Sequence, residues 1–567
     1  VGAFGGGFVG VDVFFVISGY LITTIIHREI EAGRFSISRF YERRFRRILP
    51  AAAVMAVVVL VAGAQLFPPH QQQSLARSAV AAALFASNIF VYLESGYFAD
   101  PAHSLPLLHT WSLAVEEQFY LAFPVAMLLV SKFGRARYGA WLLLLSVVSL
   151  VACVVVTGSD AAAAFYLSPT RAWELMVGSL LAVNALPALK DQRARELVAF
   201  AGIAMLGVSV LTFSEFTIFP GMVALVPVLG TAMLIHAGAH GETVVGRCLS
   251  IRPMVFVGLI SYSLYLWHWP VIVFAQYYSV VALTPSATIL VLCVTFALAI
   301  ASWRYVETPF RRKQFAGDQR QMFRASAATT AAIIGIALVS LHGQGLPGRA
   351  DDDAVMRYAA DDPEWLHWSQ CERRSRALGN TGKPCDLGVA DAAPNFMLWG
   401  DSHAMALASS VNRSAVRNGL AGELAIASGC PPLSRVVRQD RRHCDAFNTG
   451  VLEYLAASDD IGTVILAARW TFIVNGDHRK LMASGALELV DLQDTPSAAA
   501  GNAGAFEAGL RRTVARLQEL GKDVVLVGPV PEVGYDVPSA TYVALKTDRD
   551  VNALISPSLA EHEERHR

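Results

Sequence analysis

The 567-residue chain carries 46 Lys and Arg against 46 Asp and Glu, a formal net charge of zero, with 54% hydrophobic and 16% charged residues and a mean hydropathy of +0.43. Such a balance offers no basic excess for nucleic acid, and it is too apolar for a water-soluble protein of this length, so a large part of the chain belongs in the lipid bilayer. The average conceals a division near residue 342: apolar runs long enough to cross a bilayer core precede it, and a soluble composition follows.

Candidate spans fall at 8–27, 49–67, 110–131, 139–157, 171–187, 197–213, 219–236, 254–278, 286–304 and 325–341. An eleventh apolar stretch, 77–93, is decided by charge, because Lys and Arg concentrate in short cytoplasmic loops. The loop after the first span carries Arg28, Arg34, Arg39, Arg43, Arg44, Arg46 and Arg47 and is read as cytoplasmic. If 77–93 does not cross, the later basic connections around Lys132, Lys190, Arg247 and Arg311 fall on the same side; if it crosses, they all move outside. The segment is therefore read as interfacial or re-entrant, and everything after 342 as extracytoplasmic. The first span then runs inward from near Val1 with no Met or signal peptide ahead of it. The chain stops in a polar run soon after a βα-type region, so a fragment at both ends is expected.

Ionisable side chains within spans cost a few kcal/mol each and are functional candidates for that reason. The cluster Arg43-Arg44-Phe45-Arg46-Arg47 is denser than topology requires, and guanidinium forks suit the phosphates of a donor such as acyl-CoA; the alternative is a set of positive-inside anchors. His109 and Glu116 stand seven residues apart, hence on one face of a helix, and Tyr120 continues it. That face suits general-base catalysis on a sugar hydroxyl, or a structural polar network. Arg171 and Glu174, at i and i+3, can pair within a span. Ser261, Tyr265 and His268 share one face of an aromatic-rich segment that also fits an interfacial belt.

In the soluble part, four cysteines form two pairs with thirteen residues between partners. Disulfides Cys371–Cys385 and Cys430–Cys444 would close two short loops, each worth roughly 3 kcal/mol. A zinc site is the competing reading; no C-x-x-C or H-x-x-x-H spacing supports it, and no metal is expected. The apolar run 395–399 reads as a buried strand, followed by Gly400-Asp401-Ser402-His403 and a helix-like stretch. That order sets the Ser402 hydroxyl at a helix N-terminus, as nucleophile beside an oxyanion site or as a simple cap. Strand-like runs at 463–468 and 523–527 alternate with a helical pattern around 505–520, the rhythm of a parallel sheet.

Four motifs, in this order, resemble the membrane acyltransferase-3 family: the stretch from Gly10 through Asp12 to Thr23, the Arg-rich run ending Arg47-Ile48-Leu49-Pro50, His109 to Tyr120, and Ser261 to Pro270. The resemblance implies a ten-span domain that passes an acyl group, usually acetyl, from cytoplasmic acyl-CoA (acetyl-CoA) to a glycan hydroxyl outside, with no bound cofactor. It implies a donor site at Arg43, Arg44 and Arg47 and a reaction centre at Glu116, beside which His109 stands as a further catalytic candidate from its spacing. Asp12, Arg171, Glu174, Tyr265 and His268 are read as a membrane polar network. The family's functional first-span His is absent from this sequence, so the fragment is expected to lack acyl-transfer activity.

Gly-Asp-Ser at the end of a first strand resembles the SGNH hydrolase superfamily over roughly 390–530, and implies Ser402 as nucleophile with Gly429 in its oxyanion hole. The usual third donor, an Asn, is replaced by Arg469-Trp470. The only Asp-x-x-His, Asp440 to His443, lies too early, so the catalytic Asp and His are expected beyond the C-terminus.

The expected fold is a polytopic α-helical membrane domain followed by an α/β, SGNH-like extracytoplasmic domain with a flavodoxin-like parallel sheet. Its parts are 1–315, the acyltransferase domain lacking its first span; 316–345, a further span and linker; and 346–567, the SGNH-like domain lacking its C-terminal end. The expected role is acylation of a bacterial envelope polysaccharide (O-antigen, capsule or exopolysaccharide) or lipid-linked glycan at the inner membrane, with Ser402 as acyl relay or esterase nucleophile. Two rivals are a glycan or lipid-linked sugar transporter with an outer carbohydrate-binding domain, and a deacetylating esterase with a membrane anchor.

Overall fold

The computed structural model describes residues 5–94, 105–132, 138–214, 217–280, 283–343, 345, 363–375, 378, 382–390, 392–439, 441–476, 488–493, 501–530, 537–556 and 558–566. Two compact units result, Val1–Asp352 with Tyr542–Arg549, and Asp353–Thr541 with Asp550–Arg567.

The first unit is helical. Among the described residues, nine helices are long and apolar enough to cross a membrane: Gly5–Glu31, Ile37–Leu66, Thr110–Ser131, Tyr138–Ser159, Gln192–Thr212, Gly221–Ala239, Arg252–Ser279, Pro285–Arg311 and Gln319–His342. We label the α-helices up to residue 182 as α1 (Gly10–Glu31), α2 (Ile37–Leu66), α3 (Pro69–Ala83), α4 (Ser87–Glu94), α5 (Thr110–Lys132), α6 (Tyr138–Ser159), α7 (Ala161–Tyr166) and α8 (Ser168–Ala182). Apolar side chains cover much of the outside: on α6, Leu143, Leu144, Val147, Val148 and Val151 are exposed, as suits a lipid-facing surface.

The predicted span 171–187 takes a different form. It is α8, only 15 residues, about 22 Å of helix against a hydrocarbon core of about 30 Å. The 6-residue α7 precedes it, and Leu167, in extended backbone, separates the two. α8 begins at Ser168, three residues before the predicted start, and ends at Ala182, five short of the predicted end, where Asn184 at φ 54° turns the chain out of the helix. The stretch 77–93 is likewise broken into α3 and α4, with Phe85 at φ 53° between them, and neither piece reaches the length of a span.

Close approach joins α1 to α8. A Cβ on Gly19 would lie 1.8 Å from the Leu175 carbonyl oxygen, and one on Gly178 would lie 2.0 Å from that of Val16. Between helices in lipid, small residues permit this backbone contact and dispersion rewards it. We expect Gly178→Val to push the two helices apart and lower stability by about 3 kcal/mol or more, the upper end of overpacking costs. A thermal melt of the detergent-solubilised protein checks it; an unchanged midpoint means the contact is not formed.

The second unit is built on a five-stranded sheet of order β1-β3-β2-β5-β7, with β1 Cys385–Gly388, β2 Phe396–Gly400, β3 Ala421–Ile426, β4 Val436–Arg438, β5 Thr463–Ala467, β6 Leu489–Asp491 and β7 Asp523–Leu526. Strands β3, β2, β5 and β7 run parallel, and β1 adds antiparallel beside β3. β2 and β3 are buried along their whole length, as central strands covered on both faces must be. β4 and β6 form a separate antiparallel pair. Both expected disulfides are present: Cys371–Cys385 ties the helix Pro363–Ser375 to β1, and Cys430–Cys444 ties the loop after β3 to the helix Cys444–Ala456.

Candidate functional site

In the membrane unit, Glu116 is buried on α5 and accepts hydrogen bonds from Ser18 on α1 and from Tyr120 one turn on. The guanidinium of Arg44 lies over the Tyr120 ring, 5.1 Å from its centroid, and 5.8 Å from that of Phe40. Arg47, half-buried one turn further along α2, contributes its charge at Glu116, Glu117 and Glu307. Carboxylate, hydroxyls and the Arg44 guanidinium thus converge where α1, α2 and α5 meet, an arrangement able to take a proton from a hydroxyl and hold an anionic group beside it.

The other arginines of the run have separate partners. Arg43 makes a two-pronged pair with Glu29 at 3.0 and 3.1 Å and is not brought to Glu116. Arg46 is buried, pairs with Glu42 at 2.9 Å, and donates to the carbonyls of Phe315, Ala316, Gly317 and Asp318. It fastens the turn at 315–318 onto α2.

His109 and Glu116 meet different partners, and His109 occupies the turn residue directly before α5 begins at Thr110. Its ring packs edge-on against Tyr265 and His268, with centroids 5.4 and 5.6 Å away. Tyr265 donates to the His109 carbonyl at 2.6 Å and bonds Ser112, and the His268 ring bonds the Tyr265 carbonyl at 2.6 Å. Ser261 is exposed and takes no part; the buried serine of that segment is Ser263, which donates to Glu307 at 3.1 Å. Glu307, missed in the sequence, sits in a π-helical turn, Trp303–Glu307, and also pairs with Arg311 at 3.1 Å.

Arg171 and Glu174 pair as expected, at 2.9 Å, and Asp12 joins them at 3.1 Å from α1. The Arg171 guanidinium is ringed by Phe15, Trp111, Phe165 and Phe219, each 5.4 to 5.7 Å from its carbon. Pairing and cation–π contact together make so deep a charge tolerable.

In the second unit, the turn Gly400-Asp401-Ser402 leaves the carboxyl end of β2. A Cβ on Gly400 would sit 1.7 Å from the Ala467 carbonyl oxygen, so only glycine fits there. Asp401 caps the helix Ser402–Arg417 by accepting from the His403 N–H at 2.8 Å, while its second oxygen accepts from the Arg469 N–H at 3.0 Å, bridging to the end of β5. Burial pushes the Asp401 carboxyl up, and the Arg469 and His403 N–H groups draw it back.

On the other side of β2, the Ala427 N–H reaches the Gly400 carbonyl at 3.2 Å, and the Ser428-Gly429 turn follows, with Gly429 at φ 72°. Arg441 holds that turn through the Ser428 carbonyl at 3.0 Å, and Glu372 accepts from the Ser428 N–H at 2.8 Å. Ser402, Gly429 and Arg469 therefore stand at the carboxyl ends of three adjacent parallel strands, the position at which such sheets bind ligands. Asp440 lies outside the described residues. His443 is described, and its Nε2 lies 3.8 Å from the Cys430 sulfur.

A bundle of apolar helices enclosing a carboxylate and guanidinium groups, joined to a parallel sheet that presents a serine at a helix N-terminus, defines a multi-pass membrane protein of the acyl-transferring class. Residues 2–304 match the family described as an acyltransferase domain, Acyl_transf_3, and residues 370–567 match that described as "SGNH domain (fused to AT3 domains)". The chain belongs to the acyltransferase-3 family with a fused SGNH domain.

It is 33% identical over 335 residues to the peptidoglycan O-acetyltransferase OatA of Listeria monocytogenes, covering 55% of this chain and 52% of that one. It is also 33% identical over 325 residues to the O-acetyltransferase OatA of Staphylococcus aureus, covering 55% and 53%. The chain thus spans about half the length of these relatives. No solved structure matches. The transporter alternative finds no support, since the matched membrane family is one of acyltransferases.

Proposed function

We propose that the protein transfers an acyl group, acetyl in the first instance, from cytoplasmic acyl-CoA to hydroxyls of cell-wall peptidoglycan, with the residues after 342 outside the membrane. The Glu116, Ser18 and Tyr120 cluster, with the Arg44 guanidinium over the Tyr120 ring, carries the reading. In the transfer, a hydroxyl oxygen attacks the thioester carbonyl, the C–S bond breaks, Glu116 receives the hydroxyl proton and the CoA thiolate leaves. Ser402 in the second unit serves as acyl relay or ester nucleophile: its hydroxyl takes over the acyl group as an ester, and the glycan hydroxyl (or water, for an esterase) then attacks that ester carbonyl. The bond from the carbonyl carbon to the Ser402 oxygen breaks, and the attacking group's proton returns to the Ser402 hydroxyl. The names of the relatives favour peptidoglycan over the O-antigen, capsule or exopolysaccharide expected from the sequence.

The test supplies radiolabelled acetyl-CoA and peptidoglycan fragments to the full-length protein in liposomes. Label on the glycan supports the reading, and label retained on CoA with a correctly inserted protein removes it. In the same system we expect Arg44→Ala and Arg47→Ala each to weaken CoA binding by about 1.5–3 kcal/mol, a charge-assisted hydrogen bond. Arg43→Ala, which frees Glu29, should change it little. Unchanged affinity in all three variants leaves only the role of membrane anchors.

A further inference from the structure

The Cys430–Cys444 bridge has an imidazole beside it. Cys430 Sγ, Cys444 Sγ and the His443 nitrogen all lie within 4.8 Å of one another, with His443 Nε2 3.8 Å from Cys430 Sγ. Both sulfurs are buried, whereas His443 is exposed. Cys430 is held by its N–H to the Ala427 carbonyl at 2.9 Å, and His443 and Cys444 are consecutive where the helix Cys444–Ala456 begins. Backbone bonds thus fix both ends of the cluster independently of the sulfur–sulfur bond.

Two thiolates and an imidazole are the ligands that borderline and soft cations prefer, and three protein ligands leave a fourth tetrahedral position open. Sequence spacing concealed this set, because Cys430 stands thirteen residues before His443 while His443 adjoins Cys444.

We infer that Cys430, His443 and Cys444 form a redox-gated Zn²⁺ site, closed by the disulfide and opened when a dithiol reduces it. Reduction is an exchange: one thiolate of the dithiol attacks a bridge sulfur, the S–S bond breaks, and the second thiol resolves the mixed disulfide. The chain gains two thiols and the reductant becomes a cyclic disulfide. Zn²⁺ then replaces the two thiol protons, which pass to buffer, and His443 donates its neutral nitrogen. Disulfide and metal are alternative crosslinks at the same place. Each fastens the residue that follows Gly429 to the helix Cys444–Ala456, so the Gly429 turn stays anchored in both states.

The test measures metal uptake by the full chain in detergent, so it is independent of acyl transfer and of the role given to Ser402. The protein is reduced with dithiothreitol, desalted without oxygen and titrated with Zn²⁺ against a chromophoric chelator, then with Co²⁺ to look for thiolate-to-cobalt charge-transfer absorption. Reduced protein is expected to take up one more equivalent than the Cys430→Ser/Cys444→Ser variant, a difference that removes the contribution of the other five cysteines. Oxidised protein should show no such difference. His443→Ala should weaken that extra equivalent by about tenfold or more, and since His443 is exposed the substitution leaves the fold intact, as a melt of the oxidised variant verifies. Equal uptake by reduced wild type and the double-serine variant, or an affinity that His443→Ala leaves unchanged, overturns the inference.

Discussion

Glycan acylation by the full-length protein is expected to fall by about three orders of magnitude or more when Ser402 becomes alanine, the scale on which removing a nucleophile acts. The hydroxyl stands at the start of the helix Ser402–Arg417, where the helix dipole favours a developing oxyanion. The Gly429 turn lies on the neighbouring strand end, and Asp401 locks the geometry to β5 through the Arg469 N–H. None of these supports depends on the Ser402 hydroxyl, so the alanine variant should fold and melt like wild type. Labelled acetyl-CoA and peptidoglycan fragments report the rate. Wild-type transfer by Ser402→Ala removes the serine from the transfer reaction. Loss of ester hydrolysis with transfer intact assigns it to an esterase step.

Glu116→Gln is expected to lower acyl transfer by about two to four orders of magnitude while leaving CoA affinity within a few-fold, the pattern of a lost general base. The amide keeps the size of the side chain and can still accept from Ser18 or Tyr120, so insertion and stability should survive; it cannot take up the hydroxyl proton. Glu116→Asp is the discriminating partner. It keeps the base but draws it back by one methylene, and should retain part of the rate. A Gln variant as active as wild type makes the cluster a structural link between α1 and α5. Parallel loss of CoA binding and rate points instead to Glu116 orienting Arg44.

Much of this was readable from residue order. Each of the nine long helices follows from the length of its apolar run, and the parallel core of the sheet from the alternation of strand and helix after residue 395. Both disulfides followed from paired spacing. What escaped has physical causes. The span at 171–187 was drawn too far because an apolar run does not reveal where the backbone leaves the helix, and here it does so at Val183-Asn184, with Asn184 at φ 54°. Seven-residue spacing could pair His109 with Glu116 in sequence, but tertiary packing gives them different partners, Tyr265 and His268 for His109 and Ser18 and Tyr120 for Glu116. Ser18 and Glu307 carry no local signal; only tertiary packing brings Ser18 to Glu116 and Glu307 to Ser263. The arginine run illustrates the same limit, because guanidinium groups that look alike in sequence meet three kinds of partner: Arg43 the half-buried Glu29, Arg46 the Glu42 carboxylate with a set of carbonyls, and Arg44 the Tyr120 ring beside the buried Glu116.

The ion cluster of Asp12, Arg171 and Glu174 bears on how the protein enters the bilayer. A lone arginine at the centre of a span costs about 2.5–3.5 kcal/mol on insertion scales, and an aspartate costs a similar amount. α1 and α8 are separated in the chain by more than a hundred residues, so α1 emerges from the ribosome long before its counter-ion exists. Alone, α1 would carry its aspartate uncompensated, so the charge that penalises it by itself rewards its meeting with Arg171. Segments far apart in chain order are thereby matched by charge as well as by the close glycine contact between them.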